Sequence, residues 1–370
     1  MSADRSGPVG VAVIGAGKIS EQYLTNMRSY PDLDVRFVAD LLPDRARAIA
    51  DEYGVPGWGS TSEALEQDDV EIIVNLTIPA AHAEVGSAIL AAGKHVWNEK
   101  PLTVDLETAR SLLTRSRDSG LLVGCAPDTF LGPGLQTTRR MIDRGDIGRP
   151  LTASMVFQTP GPHRWHPNPA FLYQQGGGPL FDMAPYYLTA LTQVFGPLAG
   201  VAALGSTAAP TRTIGRGPLA GEVFDVGVAT YVTAIFDFRT GEVASATFSF
   251  DSQLTRLGVL EINGTEATLA APDPNHFSGD IKIIKAGDEE WERIAVAGDG
   301  IGRGIGVVDM ARALRSGGTH RATGELGLHV LDAMLASADS VERRSFVDIE
   351  SGFTPIPLLP AGWDPTRRVV

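Results

Sequence analysis

Apolar and polar positions alternate in two different rhythms along this chain. Through the first third, short apolar runs at residues 9–14, 35–39, 72–76, 95–99 and 121–125 are separated by stretches at 19–30, 43–53, 80–92 and 105–119 with helical spacing of apolar positions. Buried strands joined by helices of about 10–15 residues are what a parallel sheet with right-handed crossovers requires. The pattern predicts an α/β, Rossmann-type doubly wound domain over residues 1–125.

Beyond residue 125 the rhythm changes. A helical stretch at 133–144 leads to a strand at 151–158, then to a segment rich in Pro, His and Gly from 160 to 178, and then to a helix reaching Phe195. Residues 226–238 and 242–250 read as strands flanking a turn at 239–241, 259–262 and 267–269 as strands flanking Asn263-Gly264, and 281–284 and 291–296 as a further pair. Asn-Gly is a hairpin signal because both residues tolerate positive φ. Consecutive strands with short turns predict a large, mainly antiparallel open sheet. Helices at 307–315 and 325–341 complete an α+β domain expected to span residues 126–370.

Composition narrows the function. The 370 residues carry 31 Lys+Arg against 44 Asp+Glu, a net charge of −13, which disfavours the basic face needed to track nucleic acid phosphates. No apolar run approaches the roughly 18 residues that span a bilayer, and no secretory leader pattern opens the chain, so a cytoplasmic protein is expected. Cys125 is the only cysteine, which excludes an intrachain disulfide, and it reads as a small buried hydrophobe rather than a nucleophile. His163 and His166 lack a third convergent ligand, so no metal site is expected.

Gly15-Ala16-Gly17-Lys18-Ile19-Ser20 follows the first strand and opens the first helix. Glycines there allow a tight turn and let main chain approach a pyrophosphate at the positive end of the helix. Ser20 stands where the fingerprint has its third glycine. Asp40 ends the second strand, where a carboxylate accepts ribose hydroxyls and repels a 2′-phosphate, favouring NAD over NADP. Arg45 and Arg47 lie close by in sequence and are the groups that would reach such a phosphate.

At Glu99-Lys100-Pro101 the sequence resembles the Gfo/Idh/MocA oxidoreductases. The similarity runs through Asn75-Leu76-Thr77-Ile78-Pro79, His82, Gly93-Lys94-His95-Val96, Gly145-Asp146-Ile147-Gly148 and Gly176-Gly177-Gly178-Pro179-Leu180-Phe181-Asp182. It implies hydride transfer between a nicotinamide and a secondary hydroxyl or ketone of a sugar, polyol or sugar-like substrate. It also implies cofactor contacts from Gly15, Gly17, Lys18, Ile19, Asp40, Thr77, Pro79, His82, Glu99 and Lys100. By the same resemblance Lys100 is the catalytic lysine and Asp182 the second-domain carboxylate, with Tyr186 where many members have histidine. Tyrosine and lysine ionise near 10 and about 10.4 in water, and a neighbouring cation or desolvation brings them toward working pH. Lys100 and Tyr186 are expected to share the substrate hydroxyl, with Asp182 orienting one of them and either able to take the proton.

Asp128, His163, Trp165, His166 and Tyr187 are further substrate-side candidates, the histidines and tryptophan because they sit on a loop long enough to cover a cleft. Two other readings stay open: a glycoside-cleaving enzyme that retains NAD and uses transient oxidation, and a sensor that binds the nucleotide without turnover. The resemblance also implies a homodimer or homotetramer through the second-domain sheet, whose free face is expected to present Val226, Val228 and Thr230.

Overall fold

The computed structural model describes residues 6–296, 298 and 301–370. In chain order the first segment forms β1 (Val9–Ile14), α1 (Lys18–Met27), β2 (Leu33–Ala39), α2 (Pro43–Tyr53), β3 (Gly57–Gly59), α3 (Thr61–Leu65), β4 (Ile72–Asn75), α4 (His82–Ala91), β5 (His95–Asn98), α5 (Leu106–Ser119) and β6 (Val123–Cys125). Among the described residues these strands make a six-stranded sheet in the order β3-β2-β1-β4-β5-β6, with every pairing parallel. Local chemistry sets the helix ends. Pro43 opens α2 at a position where its missing N–H costs nothing. Ser60 and Glu63 form a capping box on α3, the Asp105 side chain caps α5, and Gly54 and Gly120 close α2 and α5 in the left-handed conformation.

The strand β3 and helix α3 escape a reading by hydrophobic pattern. β3 is Gly-Trp-Gly, and a Cβ at Gly57 or Gly59 would collide with the Phe37 ring or the Glu63 carboxylate. It is a short edge strand selected by close approach rather than by apolar alternation.

The remaining elements are α6 (Pro133–Arg144), β7 (Pro150–Gln158), α7 (Gly178–Phe195), β8 (Leu198–Ser206), β9 (Thr211–Thr213), β10 (Val223–Asp225), β11 (Tyr231–Phe238), β12 (Val243–Ser249), β13 (Arg256–Gly264), β14 (Ala267–Ala270), β15 (Ile281–Lys285), β16 (Glu292–Ile294), α8 (Ile305–Ser316), α9 (Gly324–Arg343) and β17 (Val347–Asp348). A nine-stranded sheet runs β16-β15-β14-β13-β7-β12-β11-β8-β17, antiparallel except for the parallel pair β7/β12. β9 and β10 pair separately.

Three sequence expectations change here. Residues 226–238 are not one strand: β10 ends at Asp225 and β11 begins at Tyr231, so Val226, Val228 and Thr230 lie outside the large sheet. Its solvent face instead carries Leu204, Tyr231, Ile235 and Val243. Asn263-Gly264 is not the hairpin turn, because both residues belong to β13 and Asn263 pairs with Thr268 across β14. Gly264 is needed for a different reason: a Cβ there would lie 2.1 Å from the Ile147 carbonyl oxygen.

The third change concerns the domain boundary. The chain divides into two compact units, Met1–Gly132 with Gly298–Leu331 and Ile356–Val370, and Pro133–Ala297 with Asp332–Pro355. A single cut after residue 125 is therefore replaced by a chain that leaves its first unit and returns to it. The return is held by buried charge. Asp32 pairs with Arg312 at 2.7 Å and accepts the main-chain N–H groups of Val369 and Val370, while Arg312 bonds the carbonyls of Asp364 and Arg367 and stacks on Trp363. Arg315 from α8 grips Glu71 through two hydrogen bonds. Long-range pairing of this kind leaves no periodic trace in sequence.

Candidate functional site

β1 is apolar and fully buried along its length, so the chain must turn sharply where it surfaces. Gly15 makes that turn at φ +105°, and a Cβ on it would sit 2.6 Å from the Leu76 carbonyl oxygen. Gly17 differs: nothing lies within 4 Å of where its Cβ would be. That open space borders the N-terminus of α1, whose first turn receives no side-chain cap from Gly17. Ser20 is fully buried and its hydroxyl bonds the Gly17 carbonyl at 2.7 Å, which explains why serine serves in place of the third glycine. A cleared cradle beside an uncapped helix N-terminus fits a dinucleotide's pyrophosphate.

Asp40 stands at the end of β2 with one oxygen accepting from the Ala16 N–H (2.8 Å) and the other from the Leu42 N–H (2.9 Å). Each carboxylate oxygen keeps acceptor capacity for a ribose hydroxyl. Arg45 comes to 3.9 Å of the same carboxylate, whereas Arg47 lies over the Trp58 ring. Leu41 beside it is 93% exposed and Leu42 is exposed too, an apolar surface adjoining Asp40 that periodicity gave no reason to single out.

The ends of β4 and β5 are knitted together. Asn75 donates to Asn98 (2.9 Å) and accepts from the Thr77 hydroxyl (2.7 Å), and Asn98 donates to the Leu102 carbonyl. His82 is buried and both its ring nitrogens face carbonyl oxygens, Nδ1 toward Pro101 at 2.7 Å and Nε2 toward Thr77 at 3.0 Å. Its ring therefore has no polar atom left over for a cofactor. Glu99 is nearly buried. One carboxylate oxygen accepts from Tyr23 (3.0 Å), the other from the Lys100 N–H (2.7 Å), and Trp97 donates to the Tyr23 hydroxyl. Burial together with the Glu99 charge drives the Tyr23 hydroxyl's pKa well up, so it stays a donor. Lys100 is half-buried at the end of this chain of bonds, while Ile78 and Pro79 are exposed and Thr77 is half-buried.

Asp128, expected on the substrate side, is instead fully buried. Its Oδ2 accepts from the Gly304 and Gly306 N–H groups at the start of α8, and Oδ1 has no hydrogen-bond partner among the described residues. Burial pushes its pKa up to about 6. It fastens the returning segment to its unit. Cys125 is buried, and burial raises its thiol pKa far above the ordinary range.

In the second unit, Gly176 and Gly178 take φ +82° and +80°, and Gly177 packs against the Phe171 carbonyl, which is what the three-glycine run is for. The turn delivers α7, and Pro185 lies inside that helix rather than at its start. Asp182 and Tyr186 are one turn apart on it, so they share a face. Asp182 is half-buried and Tyr186 buried. Tyr187 points elsewhere: it is fully buried, accepts from the Gly258 N–H at 2.9 Å and lies 3.3 Å from the Val156 carbonyl. It anchors α7 to the sheet, and its hydroxyl is not open to a substrate. His163 is tied to Tyr173 at 2.7 Å, and burial followed by the charges of Arg212 and Arg164 lowers its pKa. His166 Nδ1 accepts from the Asn168 N–H, and Trp165 stacks edge-on against His166 with 61% of its surface exposed.

The first unit thus gathers Gly15, Gly17, Lys18, Ile19, Asp40, Thr77, Pro79, Glu99 and Lys100 along the carboxyl edge of its sheet, as open α/β sheets do for ligands. The second aligns Asp182 with Tyr186. Tyr23 and Trp97, which brace Glu99 from behind, carry no sequence signal of their own. Among the described residues no group of three or more His, Cys, Asp or Glu side chains is placed to hold a metal, and no helix is long and apolar enough to cross a membrane.

Comparison with known proteins shows the family and the fold. Residues 9–126 match the NAD-binding Rossmann fold of an oxidoreductase family, and residues 135–270 match the GFO/IDH/MocA C-terminal domain. The chain is 28% identical over 265 residues to a trans-1,2-dihydrobenzene-1,2-diol dehydrogenase of Bos taurus, covering 71% of this chain and 73% of that protein. It is 28% identical over 174 residues to a D-xylose dehydrogenase of Paenarthrobacter nicotinovorans, 45% of each chain. A levoglucosan dehydrogenase solved with NADH shares the fold at a TM-score of 0.81 and 22% identity, covering 93% of this chain and all of that one.

Proposed function

The chain belongs to the Gfo/Idh/MocA oxidoreductase family, and from that premise we propose that it is an NAD-dependent dehydrogenase of a secondary hydroxyl on a sugar, polyol or similar ring. The observation that supports this most is the Glu99-Lys100 end of β5, braced by Tyr23 and Trp97 on the same sheet edge as the Gly15–Gly17 cradle. Bound NAD supplies the hydride acceptor. Removal of the hydroxyl proton falls to the chain, and Lys100 is the side chain proposed to hold it. Asp40 selects NAD, since a carboxylate already bound to two N–H groups has no place for a 2′-phosphate. Asp182 and Tyr186 are proposed as the second unit's substrate-binding and proton-relay pair, and Trp165 and His166 as contacts to a sugar face.

We further propose that the chain works as a homodimer or homotetramer through the large sheet. Leu204, Ile235, Val243 and Phe346 leave apolar surface on its solvent side, and covering a side chain of that size contributes about 1.5–3 kcal/mol. Light scattering of Ile235→Glu should show dissociation.

The deciding experiment for function has two arms. The purified protein is denatured and any released dinucleotide identified, then NAD and NADP binding is titrated and NADH formation followed over a panel of sugars and polyols. Binding of NAD with turnover of at least one polyol supports the assignment. Binding of neither dinucleotide would overturn it.

A further inference from the structure

His82 presents a problem of proton count. Carbonyl oxygens only accept, yet both ring nitrogens sit at bonding distance from one, Pro101 at 2.7 Å and Thr77 at 3.0 Å. A neutral imidazole has a single N–H, so its other nitrogen would set a lone pair against a carbonyl oxygen. Only the doubly protonated ring bonds both. The two carbonyls are not incidental. Thr77 lies in the loop after β4, and Pro101 follows Lys100 directly. The charged groups facing the ring are Glu99, which favours its protonation, and Lys100, which opposes it.

We infer that His82 is a positioning residue whose second proton closes a clamp between the Thr77 loop and the Lys100-Pro101 turn, making the order of the cofactor-side loops depend on pH. The inference rests on the proposed dehydrogenase reading only for its consequence in NAD binding, since the clamp itself lies within one unit. Burial lowers the ring's pKa from its ordinary value, and the two carbonyls counter that. The clamp therefore closes as the medium becomes more acidic and loosens toward neutral pH. With one proton the ring still holds one of the two loops.

Three measurements decide it. In protein labelled with 15N-histidine, the His82 ring nitrogens are followed from about pH 8 to 5, the range in which imidazoles titrate. Both nitrogens should become protonated while the protein remains native. Over the same range, amide protection at residues 77, 78, 80, 81, 100, 102 and 103, taken relative to the intrinsic exchange rate at each pH, should rise in the protein without added nucleotide. NAD affinity should strengthen as the ring takes its second proton. His82→Phe should weaken NAD binding about tenfold, the equivalent of about one hydrogen bond, and lose the pH dependence. His82→Gln, which donates but does not titrate, should recover part of the affinity and none of the pH dependence.

A ring that keeps one proton across the whole range overturns the inference. So does a pH dependence of that protection unchanged in His82→Gln. If the protein bound no dinucleotide, the function would fall while the resonance and exchange arms still judged the clamp. If the variants failed to fold, the wild-type resonances alone would decide.

Discussion

The carboxyl edge of the parallel sheet and the 160–178 segment of the second unit are both rich in polar candidates, yet they are built differently. At the sheet edge several polar side chains already have main-chain partners: Asp40 on Ala16 and Leu42, Glu99 on Lys100, His82 on Thr77 and Pro101. In the 160–178 segment Trp165 and Phe171 are largely exposed, and among the described residues His163 bonds Tyr173 and His166 bonds Asn168. On the proposed function, the contrast is between a frame that meets an invariant cofactor and a segment offered to a variable substrate. A cofactor is always the same molecule, so its cradle is worth preorganising through the main chain, whereas a loop proposed to meet a substrate keeps exposed aromatic surface such as Trp165 and Phe171 for contact.

Substitutions can break or sharpen that contrast. The largest effect is expected at Lys100. Lys100→Ala should lower kcat by about 10²–10⁴-fold while NAD affinity, measured by fluorescence titration, stays close to wild type.

Next comes acid stability, which probes the rigid frame. Burial lowers the pKa of His95 and of His320 to about 4. Both are then neutral in the folded chain but protonated in the unfolded one below about pH 6.5. The folded state binds fewer protons, so stability falls as pH drops from about 6.5 to 4, by roughly 3 kcal/mol for each. Asp128 works the other way, because a carboxyl raised to about 6 gains stability as pH falls through that value. Urea melts across this range should show a net loss, steeper in Asp128→Asn and shallower in His320→Gln.

The two loop glycines should separate stability from binding. Gly15→Ala forces a Cβ toward the Leu76 carbonyl at positive φ and should lower Tm by several degrees, the equivalent of about 1–3 kcal/mol. Gly17→Ala meets open space, so it should keep Tm and weaken NAD binding about tenfold by filling the cradle. The smallest effect is expected from the adaptable region: Trp165→Ala should raise the substrate KM by a few-fold with kcat and Tm unchanged.

Much of the candidate site is legible in the sequence. Gly15, Gly17 and Asp40 announce themselves because a phosphate cradle needs bare main chain at a strand–helix junction and a carboxylate one strand over, and both demands are local in sequence. The Glu99-Lys100-Pro101 and triple-glycine segments are likewise contiguous. Asp128 and Tyr187 show where such reading stops. Each is polar and each lies near the right segment, but their partners, Gly304 and Gly258, are distant in the chain and turn them into structural ties. Tyr23 and Trp97 were invisible for the converse reason: their aromatic bodies satisfy the helix and strand patterns, and only their hydroxyl and indole N–H, meeting Glu99's end of the sheet, give them a part in the site.

Sequence by itself determined the alternation of strands and helices, the parallel and antiparallel halves, the cofactor class and the short motifs, because hydrophobic period and turn chemistry act over a few residues. Tertiary structure alone decided that residues 298–331 and 356–370 return to the first unit, that Asn263-Gly264 is strand rather than turn, and which candidate polar groups are already bonded. Those outcomes depend on desolvation and on partners far along the chain. A buried carboxylate or imidazole takes its role from whatever lies within 3 Å or so of it in the fold, and adjacency in sequence carries no record of that.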